Sequence, residues 1–167
     1  VTQTSSLNLQ VRPGGDLALM RGIAKRLFEM DQTDPETLDH AYLETYTHDY
    51  AAYRELVEAT PWEDIVAQSG VSRGQIMQLT NLYRESGKTV ISWCLGVTQH
   101  EHGVDAVREI VNVLMLRGNM GKGGVGPSPV RGHSNVQGNR TCGIDHRPTQ
   151  DILDTLDRVC GITSPRE

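Results

Sequence analysis

The sequence predicts an α/β protein, a partial three-layer sandwich with a parallel sheet. Short stretches rich in strand-forming residues alternate with longer stretches whose apolar residues recur at helical spacing. Polar, glycine-containing segments directly follow the strand-like stretches, as ligand-binding loops do in parallel sheets. Only two stretches predict strands, which is too few for a complete sheet. We therefore expect the chain to be part of a larger α/β domain.

The first strand is predicted at residues 7–11, where apolar and polar residues alternate. The turn at residues 12–16 ends this strand and begins a helix, with Asp16 as its N-cap. Apolar residues then recur at helical spacing over residues 17–28. Two weaker helical patterns follow, at residues 36–45 and 50–59.

Two capping boxes predict the next helix starts. In residues 60–63, Thr60 is expected to cap, and a proline occupies the first helical position. Residues 72–75 form the second box, and Gly70 is expected to end the helix between them.

Residues 89–94 are rich in β-branched side chains and predict a buried strand. A polar turn at residues 96–100 follows it. A helix is predicted from about residue 104 to residue 117, with Val104 among its inward-facing side chains and Gly118 as its C-cap. The last helix is predicted at residues 150–159.

Composition narrows the classes of function. A net charge of −5 gives no basic face for nucleic acid. No apolar run approaches the roughly 18 residues that a membrane span needs, and the polar first residues do not resemble a signal peptide. Cys94, Cys142 and Cys160 show no CxxC spacing, so we expect neither disulfides nor a cysteine metal site, with Cys94 buried as a small hydrophobe. A cytoplasmic location is expected.

The most unusual segment runs from Gly118 to Gly138, where seven of 21 residues are glycine. It ends in the polar string Arg-Gly-His-Ser-Asn-Val-Gln-Gly at residues 131–138. Glycine lets backbone N–H groups approach a ligand closely, and Arg131 offers a planar fork for an anion. A ligand site and a long surface loop both explain this pattern.

Two loops leave the carboxyl ends of the predicted strands, where parallel sheets bind ligands. In the first, Gly14 and Gly15 let a base approach, and the two acceptor oxygens of Asp16 suit the N1–H and N2–H₂ edge of guanine. A capping aspartate in a tight turn is the alternative interpretation.

The second loop offers Leu95, Gly96 and Gln99 as further binding candidates. The alternative is that Gln99 only bonds to loop backbone. His100 and His102 form a pair that can bind zinc, but no third ligand lies at a standard spacing, so we predict no metal site.

Four strings follow one another at residues 96–100, 103–105, 116–121 and 130–138, and a fifth lies at residues 13–19. In this order and spacing they resemble the molybdopterin oxidoreductases of the dimethyl-sulfoxide-reductase superfamily, and most closely their formate-dehydrogenase-like alpha subunits. The resemblance covers about residues 7–166.

The resemblance implies a larger multidomain enzyme that holds a bis(molybdopterin guanine dinucleotide) cofactor with molybdenum or tungsten. Residues 1–130 would be the C-terminal half of a Rossmann-like cofactor-binding domain, and residues 131–167 would cross into the next α/β domain. The metal ligand, and a 4Fe–4S cluster where present, would lie in the rest of the parent chain. An electron-transfer partner is also implied.

Residue by residue, the resemblance places Asp16 at the guanine end of the cofactor and Gln99 in contact with it. Arg131 matches an arginine that orients the formate carboxylate. His133 stands where formate dehydrogenases carry glutamine, which leaves the substrate open. The neighbouring cofactor-binding candidates are Gly132, Ser134 and Asn135.

The resulting hypothesis is an oxidoreductase that oxidises or reduces a small substrate such as formate by two electrons, with Arg131 and His133 as catalytic residues. We expect the chain to be inactive without the rest of the parent. A free-standing α/β module that binds a nucleotide or a protein partner is the first alternative. A catalytically inactive homologue used as a scaffold is the second.

Overall fold

The computed structural model describes residues 2–166, which fall into two units by their internal contacts, residues 2–130 and residues 131–166. The first unit is rich in helices and contains a small parallel sheet, which confirms the α/β class. Its elements are short 3-10 turns at Thr2–Thr4 and Pro35–Thr37, α1 (Asp16–Asp31), α2 (His40–Tyr46), α3 (Tyr50–Ala59), α4 (Trp62–Ser69), α5 (Arg73–Glu85), β1 (Val90–Trp93), α6 (Leu95–Thr98), α7 (Gly103–Leu116) and β2 (Gly126–Pro129).

Helix α1 forms the centre of the first unit. It packs against α3, α4, α5 and α7, and its Leu27 and Phe28 are completely buried. Gly22 permits the close approach of α4 and α5, because a Cβ there would lie 2.9 Å from Ile65 Cγ2. Ile91 of β1 packs on the same core, so the sheet is fixed to the helices through one face.

The sheet consists of β1 and β2 in parallel, paired from Val90 with Gly126 to Trp93 with Pro129. β2 lies inside the glycine-rich segment, where the sequence predicted only a loop. Glycine and proline are poor strand formers, so pairing with β1 and not local propensity makes this segment a strand.

The strand predicted at residues 7–11 is wrong, because these residues have no regular structure. Their alternation has another origin: Leu9 and Val11 pack against the core while Asn8 and Gln10 are exposed. The segment ends where the Arg12 N–H donates to the Ser69 carbonyl, at 2.9 Å. An extended chain that is buried on one side shows the same period as a strand.

Three helix starts allow the capping predictions to be checked. Asp16 is not the N-cap of α1: Gly15 holds that position and Asp16 begins the helix. Thr60 does not cap α4 either, since Pro61 is the N-cap and the Thr60 hydroxyl donates to the Leu56 carbonyl at 2.8 Å. The capping box of Ser72 with Gln75 is confirmed at the start of α5.

The prediction that β1 is buried is also wrong. Its residues alternate between exposed and half-buried, because within residues 2–166 it has a neighbouring strand on one side only. Cys94, expected to be buried, is exposed directly after it. Val104, expected to face inward on α7, is 68% exposed, and Ala106 and Ile110 are buried instead.

The second unit contains α8 (Val136–Thr141) and α9 (Gln150–Cys160), and α9 confirms the last predicted helix. Gly161, with a φ of +64°, ends α9 in the left-handed conformation. Leu153 and Ser164 are the buried residues of its described range, and the Ser164 N–H donates to the Asp157 carboxylate at 2.7 Å. None of the helices in residues 2–166 is long and apolar enough to cross a membrane.

Candidate functional site

A cavity of about 200 Å³ lies where the N-terminal ends of α1 and α7 meet in the first unit. We call it the α1/α7 cavity. Two loops that are distant in the chain contribute to its wall, the one before α1 and the one between β1 and α7. The lining residues are Gly14, Asp16, Val97, His100, Glu101, His102 and Ala106.

Asp16 lines this cavity from the first turn of α1. Asp16 is the first residue of α1 and is half-buried, and within residues 2–166 its side chain forms no hydrogen bond to the helix. Its carboxylate forms no ion pair within residues 2–166, so both oxygens are available as acceptors. The structural role that the sequence offered as an alternative, that of helix N-cap, belongs to Gly15.

The two glycines before Asp16 have different roles. Gly14 adopts a φ of +78° and lines the cavity, where a Cβ would lie 3.9 Å from Nδ1 of His100. Gly15 is buried and does not line it. A Cβ on Gly15 would lie 2.7 Å from the Gln68 carbonyl oxygen, so packing against the end of α4 already requires glycine there.

The loop after β1 folds into the single turn α6 and then leads into α7. Gly103 makes this tight path possible, because a Cβ on it would lie 2.9 Å from the Thr98 carbonyl oxygen. The turn brings His100 to the cavity. The predicted binding residues Leu95, Gly96 and Gln99 do not line the cavity, and all three are exposed.

The chemistry of the wall suits a neutral donor better than an anion. Asp16 and Glu101 provide carboxylate acceptors, and no lysine or arginine is among the lining residues. A base edge that carries N–H donors fits this set, whereas a phosphate would meet like charge. Within the described part of the chain, no three His, Cys, Asp or Glu side chains come together as a metal site.

No sequence pattern indicated Glu101, which follows the polar turn and lines the cavity. A buried polar group that connects α1 and α7 was missed as well. Nε of Arg21 donates to Glu109 Oε1 at 2.7 Å, and the Tyr53 hydroxyl donates to Glu109 Oε2 at 2.7 Å. Burial, and then the negative charge of Glu109, raises the pKa of Tyr53 well above 10.0. This group links α1, α3 and α7 through hydrogen bonds.

The remaining candidates belong to the second unit, and all five are exposed: Arg131, Gly132, His133, Ser134 and Asn135. The His133 carbonyl accepts from the Val136 N–H at 3.2 Å, and the Asn135 carbonyl accepts from the Asn139 N–H at 2.8 Å. These bonds begin α8 and hold the backbone of the string. The Arg131 guanidinium makes no ion pair within residues 2–166, so its fork is available to an anion.

Comparison with known proteins finds similarity to oxidoreductases. The chain is 41% identical over 169 aligned residues to protein YdeP of Escherichia coli K12, which covers 98% of the chain. It is 39% identical over 159 residues to an uncharacterized oxidoreductase of Mycobacterium tuberculosis, covering 95% of the chain. Formate dehydrogenase H of Escherichia coli K12 is 32% identical over 134 residues, covering 80%. The chain is therefore similar to a region of formate dehydrogenase and of other oxidoreductases.

The chain spans about a fifth of these relatives, namely 22%, 20% and 18% of their respective lengths. No family model matches it.

Proposed function

We propose that this chain is part of a formate-dehydrogenase-like oxidoreductase that depends on molybdenum or tungsten and on bis(molybdopterin guanine dinucleotide). The observation that carries the proposal is the α1/α7 cavity. Gly14 and Asp16 of one predicted cofactor loop and His100 of the other line it together. Similarity to formate dehydrogenase H over 80% of the chain supports the same assignment.

In this proposal the cavity receives the guanine base of the cofactor. Asp16 accepts hydrogen bonds from N1–H and N2–H₂ of guanine, and Gly14 leaves room for the base beside the His100 ring. Since no lysine or arginine lines the cavity, the phosphates of the cofactor lie outside it in this proposal. When bound, the cofactor supplies the two-electron chemistry, and these residues only bind and orient it.

Arg131 has a separate role in this proposal. Its guanidinium holds an anionic substrate such as formate through two parallel hydrogen bonds, and the imidazole of His133 adds a further N–H donor. Both side chains are exposed, and the His133 carbonyl accepts from the Val136 N–H at the start of α8. The second unit therefore contributes to substrate binding, and the first unit binds the cofactor.

The main alternative is a nucleotide-binding α/β module without catalysis. The same cavity favours it, because carboxylate acceptors and a glycine edge also suit a free guanine nucleotide. The two functions differ in what the purified full-length protein contains.

The test is metal analysis of the purified full-length protein together with chromatography of the nucleotide released by acid. We expect about one molybdenum or tungsten per chain and guanine nucleotide released from the pterin cofactor. Guanine nucleotide without metal or pterin would instead identify the module. A protein without metal, pterin or nucleotide, even after expression with excess molybdate and tungstate, would overturn both.

A further inference from the structure

The two outer edges of the sheet differ in their ability to accept another strand. β1 and β2 are parallel, and the Gly126 N–H donates to the Thr89 carbonyl at 3.1 Å while the Val130 N–H donates to the Trp93 carbonyl at 2.7 Å. In a parallel ladder, alternate residues direct their backbone groups to opposite sides. Gly126, Ser128 and Val130 therefore face β1, and the residues between them face outward.

The outer edge of β2 cannot pair with a further strand, because of two prolines in its sequence. Both of its outward-facing residues, Pro127 and Pro129, lack a backbone N–H. A neighbouring strand would find acceptors there but no donors, so a regular ladder cannot continue past β2. Proline at such positions is typical of the last strand of a sheet.

The outer edge of β1 is open. In the same register Ile91 and Trp93 face β2, so Val90 and Ser92 direct their N–H and C=O groups outward. No backbone hydrogen bond to these groups is formed within the described residues. Val90 is 52% exposed, Ser92 is exposed, and the strand carries neither charge nor proline. Natural proteins rarely leave such an edge unpaired.

The occupant of this edge is not the irregular segment at residues 7–11. Leu9 and Val11 of that segment already pack against the core, and Arg12 is bonded to Ser69. The chain spans 22% of YdeP and 18% of formate dehydrogenase H, so relatives of this type carry much more polypeptide than these two units.

We infer that a β-strand of the same full-length polypeptide, outside residues 1–167, pairs with the open edge of β1, and that β2 ends the sheet. The inference rests on the longer parent chain of the proposed function. It does not depend on which cofactor that parent binds. A second copy of the chain on the same edge is the competing occupant.

Hydrogen exchange of single amides tests this pairing in the full-length protein and in the 167-residue chain. Ile91 and Trp93 face β2 and should be protected in both, which makes them internal references. Val90 and Ser92 should exchange freely in the 167-residue chain and be protected at least about a hundredfold more strongly in the full-length protein. Because exchange does not require metal, a full-length protein without cofactor still tests the pairing.

Two variants of Ser92 add a second test. Ser92→Pro removes the outward N–H, and Ser92→Ala keeps it as the matched control. In the full-length protein we expect Ser92→Pro, but not Ser92→Ala, to abolish the extra protection of Val90. Equal unfolding midpoints for wild type and Ser92→Pro in the 167-residue chain would show that β1 tolerates the proline ring.

Free exchange of Val90 and Ser92 in the full-length protein would overturn the inference. Protection that appears in the 167-residue chain and increases with its concentration would assign the edge to a second copy, which also overturns it.

Discussion

Asp16 is available for ligand binding because Gly15, and not Asp16, is the N-cap of α1. Gly15 occupies the N-cap of α1, while Asp16 faces the α1/α7 cavity without a capping bond. A carboxylate in the first helical turn gains about 0.3–1 kcal/mol from the helix dipole. The helix dipole therefore explains a carboxylate in this turn but not its place on the cavity wall. The proposed binding of guanine explains that place.

Asp16→Asn in the full-length protein should lower cofactor occupancy about 5- to 150-fold when cofactor is limiting. The change replaces an acceptor oxygen by an NH₂ group that faces the donors of guanine, and an unpaired buried polar contact costs about 1–3 kcal/mol. Occupancy is measured as guanine nucleotide released per protein.

Asp105→Asn is the matched control, because Asp105 lies in the first turn of the other cavity helix but does not line the cavity. We expect it to bind cofactor as wild type does. Equal occupancy of the Asp16 and Asp105 variants under limiting cofactor would contradict a binding role for Asp16.

Arg131→Lys should reduce kcat/KM for an anionic substrate at least tenfold in the full-length enzyme, about 1.4 kcal/mol of transition-state stabilisation. Lysine keeps the positive charge but loses the planar fork, so the loss reports geometry. Steady-state kinetics should show this loss at unchanged metal and cofactor content.

Arg158→Lys provides the control for Arg131, since Arg158 is an exposed arginine of the same unit, on α9. It should leave kcat/KM unchanged. Wild-type efficiency of the Arg131→Lys variant would reduce the string at residues 131–135 to cofactor scaffolding or surface loop.

The α1/α7 cavity depends on how α1 packs against α7, and a buried ion pair links these two helices. Arg21 of α1 is hydrogen-bonded to Glu109 of α7, whose side chain is only 4% exposed. Tyr53 of α3 satisfies the second oxygen of Glu109. Removing one partner of such a pair leaves an uncompensated charge.

Glu109→Gln should lower the free energy of unfolding by about 3 kcal/mol, the lower end of the range for broken buried pairs. The lower end applies because the Arg21 side chain is 21% exposed and keeps some hydration. Arg21→Met added to this variant should restore more than half of the loss, because the unpaired charge disappears while the new amide oxygen still accepts from Tyr53.

Urea unfolding of the purified chain measures both values. Asp105→Asn removes one partner of the exposed pair with Arg108 and should change the free energy of unfolding by less than about 1 kcal/mol. A loss for Glu109→Gln as small as this would contradict a stabilising role for the buried pair.

A buried hydroxyl between α5 and α7 predicts how stability depends on pH. The Tyr83 hydroxyl donates to the Val113 carbonyl at 2.8 Å, and burial raises the pKa of Tyr83 to about 12 from 10.0. Because the folded pKa is the higher one, the stabilisation is complete below pH 10 and is lost as the pH rises toward 12. Its size is about 3 kcal/mol.

The free energy of unfolding should therefore decrease steeply between about pH 10 and pH 12. Tyr83→Phe has no proton to lose at this position, so its decrease should be smaller by about 3 kcal/mol. Tyr53 and Tyr50, whose pKa values are also raised, give both proteins a common remaining slope. Parallel curves for the two proteins would contradict the assignment to Tyr83.

At the scale of the whole molecule, the chain contains parts of a site and not a complete one. The relatives it matches are about five times as long, as their 18–22% coverage shows. The second unit buries little, since Leu153 is its one buried apolar residue in the described range. The three cysteines Cys94, Cys142 and Cys160 are free and exposed, so no disulfide adds stability to the small core of the second unit.

The purified 167-residue chain should contain no stoichiometric molybdenum or tungsten and should show no formate oxidation. The proposed metal ligand and most of the cofactor contacts would lie elsewhere in the parent. Elemental analysis measures the molybdenum and tungsten content of the short chain and of the full-length protein in parallel. Stoichiometric metal in the short chain would contradict the division of the site that we propose.

Local sequence patterns were sufficient for much of the fold. Helical spacing predicted α1, α5 and α9, and the box of Ser72 with Gln75 predicted the start of α5. These features depend on residues within one or two turns of each other. The alternation at residues 7–11 gave a wrong strand prediction because it too is a local pattern. A period of two indicates burial on one side of an extended chain and does not indicate pairing with another strand.

The candidate site divides in the same way. Glycines before Asp16 and the polar turn before α7 were visible in the sequence, and so was the resemblance to the molybdopterin oxidoreductases. Only the packing of α1 on α7 decided that Gly14, Asp16 and His100 share one cavity and that Gln99 does not line it. Likewise, only pairing with β1 made a strand of Gly126–Pro129. Both outcomes depend on contacts between residues far apart in the chain, and local propensity carries no information about such contacts.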